Sequence, residues 1–440
     1  MGTRGTHSRK PQQVSGRQRT ISVGIAEGER IEFALGDGVV RTATVAGDGV
    51  AIGGEVREEW VFTPADGEFF TLKGVEIGKG FHWQRRQDQC FRGSLRLIAR
   101  EGRVIAINVV GIEDYLQCVI ASEMSPTAGF EFLKAHAVIS RSWLLAQLDK
   151  RDEVREEGYS AVERDTPDEL IRWQDREDHA YYDFCADDHC QRYQGIPMAG
   201  VSANAAMIRK TARVIEATWG QVLWYDGRVC DARFSKCCGG ALEEFKYCWE
   251  NKEVPYLKYA RDYASGNDVD LRDEQAARRW ILSSPRAFCN TRSKRLLGQV
   301  LKDYDSETKD FYRWKVEYTA EELRQIILER TGDDYGQILD LIPLERGVSG
   351  RICRLKIVGS KKTKIIGKEL EIRKTLSRSH LYSSAFVVEK VDGKFILRGA
   401  GWGHGVGLCQ IGAAAMGAHG YDYRTILQHY YPNSSLKTIY

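Results

Sequence analysis

The stretch IEDYLQCVIASEMSP, residues 112–126, decides how the rest of the chain is read. Ile112, Leu116 and Val119, followed by Glu123, fall at spacings of four, three and four, which places them on one face of a helix. Ser125-Pro126 ends that helix, because the residue before a proline avoids helical torsions. A second helix is expected from about Glu131 to Leu148. Leu133, Ala137, Ser140, Leu144 and Leu148 form one stripe along it, while Phe132, Val138, Ile139 and Leu145 occupy its other faces. A helix apolar on most sides is a buried one.

Working outward, residues 21–110 alternate in a strand-like way with glycine punctuation, as in Ile21-Ser-Val-Gly-Ile25 and Leu95-Arg-Leu-Ile98. Short strands at this spacing predict an N-terminal β-domain over 21–94 that leads into a core beginning near 95. Residues 1–20 carry Arg4, Arg9, Lys10, Arg17 and Arg19, no acid, and no apolar run after them. They read as a disordered basic tail rather than a secretory signal, so either export uses information outside this chain or the protein stays in the cytoplasm. Residues 149–195 are polar, charged and aromatic, and are expected to be an insertion held by local contacts. Residues 200–260 return to strand-like runs such as Val222-Leu-Trp-Tyr225, giving a core first part over 95–265. Residues 266–395 predict an α+β insertion domain, with a helix near Ala320 to Arg330 and strands near Ile352 to Val358 and Ala385 to Val388. Residues 396–440 are glycine-rich and then helical, with Asp422 as N-cap and Pro432 as stop. The class expected is α+β, a mixed β-rich core with buried helices.

Composition bounds the partners. Across 440 residues, 42% are hydrophobic and 28% charged, which excludes a disordered, collagenous or coiled-coil chain. Basic residues number 64 and acidic residues 61, a net charge of +3, so no whole-protein argument for nucleic acid exists. No apolar stretch is long enough to predict a membrane-spanning helix. Eleven cysteines at irregular spacing favour reduced thiols, some metal-bound, over a disulfide framework.

Four features could carry chemistry. Glu123 closes a mostly apolar helix, where burial and the negative end of the helix dipole both disfavour its anion. That environment suits a general acid, although an exposed helix-terminal glutamate has the same local sequence. Glycines occupy every second position from Gly399 to Gly407. As a strand this would bare one face for a ligand; as a packing seam it would admit another backbone. His179, Cys185, His189 and Cys190 supply two imidazoles and two thiols, enough for a tetrahedral zinc, or they are surface histidines beside buried cysteines. Cys237 and Cys238 are rival ligands, since neighbouring cysteines rarely pair with each other.

Several of these segments resemble one family, the stage II sporulation protein D / LytB (SpoIID/LytB) proteins of bacteria. Val119-Ile-Ala-Ser-Glu-Met-Ser-Pro126 with Leu133-Lys-Ala-His-Ala-Val-Ile-Ser-Arg141-Ser is similar to its helix–loop–helix signature. Gly403-His-Gly-Val-Gly-Leu-Cys-Gln-Ile-Gly-Ala413, continuing to Ile426-Leu-Gln-His-Tyr-Tyr431, resembles its C-terminal signature, and Phe234-Ser-Lys-Cys-Cys-Gly-Gly240 a weaker third one. The resemblance implies a lytic transglycosylase acting on peptidoglycan glycan strands, a cell-wall enzyme of sporulating bacteria. One glutamic acid, by position Glu123, would protonate the MurNAc–GlcNAc oxygen and then accept the proton of the sugar's 6-hydroxyl, leaving 1,6-anhydro ends. LytB-type members imply an alternative, a glycan-binding enhancer of a separate cell-wall amidase. The resemblance further implies a zinc held by a set like His179, Cys185, His189 and Cys190, and a cleft lined or braced by Lys134, Arg141, Ser235, His404 and Gln410. The sequence departs from the family at His136, where glutamine is usual, at Ile411, where tyrosine is frequent, and at Cys237, Cys238 and Cys409, where serine or threonine is common.

Overall fold

The computed structural model describes residues 18–65, 67–77, 85–125, 127–157, 161–173, 179–187, 190–196, 202–266, 269–301 and 310–440. Most of the basic tail, Pro126 and His189 therefore lie outside the described residues. Both helices and many strands are present, so the fold is α+β.

Alternation sets the first sheets. In the strand Thr20–Gly28, Ile21, Val23 and Ile25 turn inward while their neighbours stay half-buried or exposed. This strand runs antiparallel to Arg103–Gly111, which pairs with Ser94–Arg100, which takes Glu59–Phe62 at its far edge. A six-stranded antiparallel sheet, in the order 55–57, 49–52, 40–46, 30–34, 70–77, 85–91, lies against it. The apolar faces of both sheets, through Phe33, Phe70 and Leu97, share one core with the helices that follow.

Helix α1 (Ile112–Glu123) and helix α2 (Phe130–Glu157) form where the period changes. Glu113 and Asp114 stand in the first turn of α1, at the positive end of its dipole. Every residue of the expected α2 stripe is buried, and so are Phe132, Val138, Ile139 and Leu145. The helix runs nine residues past Leu148, through a charged stretch that carries no apolar stripe to announce it. A third helix, α3 (Ser202–Ala217), occupies a segment expected to be strand-like. Among its described positions Met207, Thr211, Val214 and Ile215 are buried, with Thr218 just beyond its end, a 3.6-residue period partly written in threonine. α3 packs on both α1 and α2, with Gln117 Nε2 donating to the Ile208 carbonyl at 3.2 Å.

The segment 149–195 is not held by local contacts alone. Glu169–Arg172 pairs in parallel with Thr363–Gly367, joining a sheet with Ile352–Gly359 and Ile338–Arg346, and Phe184–Cys185 adds to the edge of Thr20–Gly28. Residues 313–397 build a second core around Trp314, Leu323, Ile327, Leu355 and Leu397. Its helix Ala320–Thr331 starts on a capping box of Thr319 and Glu322 and stops at left-handed Gly332.

Past Gly399, which is still a strand residue, the glycine run is no strand. The strand Lys394–Ala400 ends where it begins, and Gly401, Gly403, Gly405 and Gly407 all take positive φ, from 70° to 95°. At Gly405 a Cβ would lie 2.4 Å from the Arg351 guanidinium carbon, and at Gly407 2.0 Å from the Arg233 carbonyl oxygen. The packing-seam reading is the one the structure supports. Asp422 caps the helix Tyr423–Tyr430, accepting from Thr425 N–H at 2.8 Å.

Two buried polar groups of α2 make the sharpest stability statements. Arg141 is fully buried and grips Glu113 through Nε–Oε1 at 2.8 Å and Nη2–Oε2 at 2.6 Å. The same carboxylate accepts from Gly220 N–H and the Tyr440 hydroxyl, and Arg141 Nη1 donates to the Gln221 carbonyl. Arg141→Met is therefore expected to cost about 3–5 kcal/mol in a denaturant unfolding curve, because Glu113 would stay buried without its cation. His136, also buried, is held neutral down to about 3 by desolvation and then by the nearby charge of Lys236. Unfolded His136 takes up its proton as pH falls through about 6.5, so stability declines from there toward the folded value. His136→Gln should remove that component, flattening the acid limb of stability against pH by at most about 1.4 kcal/mol per pH unit.

Candidate active site and metal centre

Glu123 ends α1, where Met124 turns extended, and its side chain is half-buried. The segment 190–194 lies along this helix end. Arg192 N–H donates to Glu123 Oε1 at 3.1 Å, and Gln194 N–H to Ser122 Oγ at 2.9 Å. Gln191 accepts from the Tyr115 hydroxyl and donates to the Ser140 carbonyl, so the segment is fastened to α1 and α2 together. On the other side, Ser125 N–H donates to the Gln299 carbonyl at 3.2 Å and Gly129 N–H to its Oε1 at 3.0 Å. The short helix Lys294–Val300, from the region expected to be an insertion, thus walls the turn after Glu123.

The same segment carries one member, Cys190, of a metal-type cluster. His179, Cys185 and Cys190 offer ligand atoms all within 4.8 Å of one another, with Cys190 Sγ 3.5 Å from His179 Nε2. Tetrahedral zinc, with bonds of roughly 2.3 Å to sulfur and 2.0–2.1 Å to nitrogen, places such atoms about 3.5 Å apart. The donor set fits the ion. His179 is stacked on Tyr182 at 4.8 Å, and Tyr182 fills the space a Cβ would take at Gly24. Cys190 precedes Arg192 by two residues, so whatever fixes the cluster also fixes the N–H that orients Glu123. The open depression of about 450 Å³ beside His179, lined also by Arg100, Tyr181 and Tyr182, does not include Glu123.

The other expected cleft residues separate. Arg141 has no exposed surface and its guanidinium is taken up by Glu113, so it braces and cannot line a sugar site. Lys134 lies on the outer side of α2, ion-paired with Glu131 at 2.6 Å and 4.5 Å above the Tyr423 ring. Ser235 and Gln410 do come together, because Phe234–Ser235 pairs in parallel with Leu408–Cys409. Gln410 is buried, its Nε2 3.4 Å from His136 Nε2, so it also braces; His136 packs edge-on to Phe234. Ser235 Oγ is buried with no hydrogen-bond partner among the described residues. His404 is half-buried, accepts Val406 N–H on Nδ1 at 3.0 Å and meets Trp249 edge-on. Burial, then Arg233 and Arg351, hold His404 well below its ordinary value, so it is a neutral imidazole.

Sequence reasoning missed two groups. Arg351, fully buried, donates to the Gly403 and Cys238 carbonyls and to Ser349 Oγ, which in turn donates to Glu243. Burial pushes the Glu243 carboxyl up to about 7. Only the glycine at 405 hinted that a large side chain must press there. The second is a buried cluster of Cys238, Asp262, Cys289 and Cys409 that could hold a metal; Cys238 belongs to it rather than to the His179 set.

Residues 100–225 match the family model described as Stage II sporulation protein, and residues 243–407 match a domain of unknown function, DUF8618. An uncharacterized protein of Brachyspira hyodysenteriae is 25% identical over 378 residues, 86% of this chain and 76% of that protein. Stage II sporulation protein D of Bacillus amyloliquefaciens is 23% identical over 74% of each chain. The amidase enhancer of Bacillus subtilis is 28% identical over 51% of this chain, and the match spans 32% of that longer protein. Glu123, the His/Cys segment beside it and α2 all fall inside the matched region 100–225, and on that region the chain is similar to the SpoIID/LytB proteins, as its relatives named Stage II sporulation protein D and Amidase enhancer also support.

Proposed function

We propose that the chain is a peptidoglycan lytic transglycosylase with Glu123 as its acid and base. The observation that carries this reading is the half-buried carboxyl at the end of α1, oriented by a backbone N–H from the segment that bears Cys190. Protonated Glu123 gives its hydrogen to the oxygen linking MurNAc to GlcNAc, and the C1–O bond breaks toward an oxocarbenium-like state. The resulting carboxylate takes the proton of the same sugar's 6-hydroxyl as that oxygen closes on C1. Atoms balance without water, and the 1,6-anhydro ring is the product.

This chemistry needs one carboxyl group rather than two. The other acids of α1 are engaged elsewhere: Glu113 on Arg141, and Asp114 on Arg92 at 2.9 Å. Ser235, with its unpartnered hydroxyl, is a candidate hydrogen-bonding contact for the glycan, with Lys134, Arg141, His404 and Gln410 supporting the walls. Zinc at His179, Cys185, His189 and Cys190 would be structural, because four protein ligands leave no open position for water chemistry. It would hold the 190–194 segment against Glu123.

A second reading has its own support in the amidase-enhancer relative. In it the surface around Glu123 binds glycan without cutting and promotes a separate cell-wall amidase. One experiment separates the two. Purified glycan strands are incubated with the protein and the ends identified by mass spectrometry. Glu123→Gln is expected to lower 1,6-anhydro ends about 10²–10⁴-fold with an unchanged unfolding curve. Equal product from that variant defeats the enzyme reading. Stimulation of an amidase by Glu123→Gln, with no anhydro ends from either protein, establishes the enhancer instead.

A further inference from the structure

We infer that Cys238, Asp262, Cys289 and Cys409 form a second, structural zinc site, distinct from the His179 cluster and independent of any glycan chemistry. The four ligand atoms lie within 4.8 Å of one another, and none of the four residues is more than 3% exposed. Cys238 Sγ and Cys289 Sγ are 3.7 Å apart. Two thiolates on tetrahedral zinc, each bonded at roughly 2.3 Å, stand about 3.8 Å apart, so the sulfurs are already at the spacing the ion requires.

The surroundings are those of ligands. Cys409 precedes the first residue of the helix Gln410–Ala418, where the positive end of the dipole favours a thiolate. Cys238 N–H donates to Cys409 Sγ at 3.2 Å, and Gly240 N–H to Cys238 Sγ at 3.4 Å. Asp262 is fixed at both oxygens, by the Tyr430 hydroxyl at 2.7 Å and by Cys289 N–H at 2.9 Å. Each oxygen keeps a second lone pair for a metal, and outer hydrogen bonds of this kind orient ligating carboxylates. Gly412 makes room for the arrangement, since a Cβ there would lie 2.6 Å from Asp262 Oδ1.

Charge argues the same way. An aspartate among three sulfurs with no solvent contact is expensive unless a cation compensates it. The nearby guanidinium of Arg351 is spent on backbone carbonyls and Ser349. A divalent ion supplies the missing charge, and three thiolates select zinc over magnesium or calcium. With four protein ligands the site is closed and therefore structural. Its ligands arrive from the turn after Ser235, from Asp262, from Cys289 and from the residue before Gln410. The ion would thus staple Cys289, from the region that follows residue 266, to the two segments that carry Ser235 and Gln410.

The test uses the full chain purified under reducing conditions, with zinc counted by plasma mass spectrometry. Cys185→Ser/Cys190→Ser, which removes the other cluster, is expected to retain one equivalent of zinc per chain. Adding Cys289→Ser should remove that equivalent. Cobalt supplied in place of zinc should give the sulfur charge-transfer and intense tetrahedral d–d bands in the first variant and lose them in the second. The site is overturned if the first variant is folded and holds no metal, if Cys289→Ser leaves the metal content unchanged, or if intact mass reveals a Cys238–Cys289 disulfide. Should the variants fail to fold, crystals of the unaltered chain grown with zinc decide the matter. An anomalous peak among the three sulfurs supports the site, and its absence sinks it. None of these readouts involves glycan cleavage, so the outcome is separate from that of the enzymatic reading.

Discussion

The buried pair of Glu113 and Arg141 is the constraint on which the rest hangs. A carboxylate and a guanidinium removed from water must satisfy each other and nearly every remaining donor and acceptor, or the fold loses several kcal/mol. Here the satisfaction is spread across the chain: α1 gives the acid, α2 the base, the turn after α3 an N–H and a carbonyl, and the final residue a hydroxyl. The angle between α1 and α2 is thereby set by charge as well as by apolar packing. Since Glu123 is the last residue of α1, ten positions beyond Glu113, its location follows from that pairing.

A second constraint governs the far side of the molecule. The run from Gly399 to Gly407 passes Trp314, Cys237, Ser235, Arg351 and Arg233 so closely that no side chain fits on its inner positions. Arg351 holds the run by its carbonyls while Ser349 and Glu243 hold Arg351. The residues of the resembling signature near 404 are thus shaped from behind by a region absent from that signature.

How much of this was legible depends on where the information lies along the chain. α1 was readable because its apolar spacing and its proline stop sit within fifteen residues. The end of α2 was not, because a charged extension of a buried helix carries no stripe. α3 was missed because threonines stand on its buried side, where Thr211 inside the helix and Thr218 just past its end return their hydroxyls to helix carbonyls. The glycine spacing was legible but ambiguous, since every-second-position glycine suits both a bared strand and a chain of left-handed turns. The helix-end position of Glu123 and the proximity of His179, Cys185 and Cys190 were both legible, the former from the helix stop and the latter from local spacing. Arg141 was foreseen as a site residue and not as a core ion pair, because its partner stands 28 positions away.

The thiol cluster marks the limit of local reading most clearly. Cys238 and Cys409 are separated by 171 positions and still share an N–H···S bond. In the sequence each looked like a departure from a serine or threonine, a change that would ordinarily weaken a polar contact. Their proximity reverses the meaning. A lone thiol in place of a hydroxyl loses hydrogen-bonding strength, whereas several thiols meeting a buried carboxylate gain the ability to bind a soft cation. The substitutions therefore make physical sense only as a set, together with Asp262 and Cys289. The set brings residues from four separate stretches of the chain to one buried point, as the Glu113–Arg141 pair does at another.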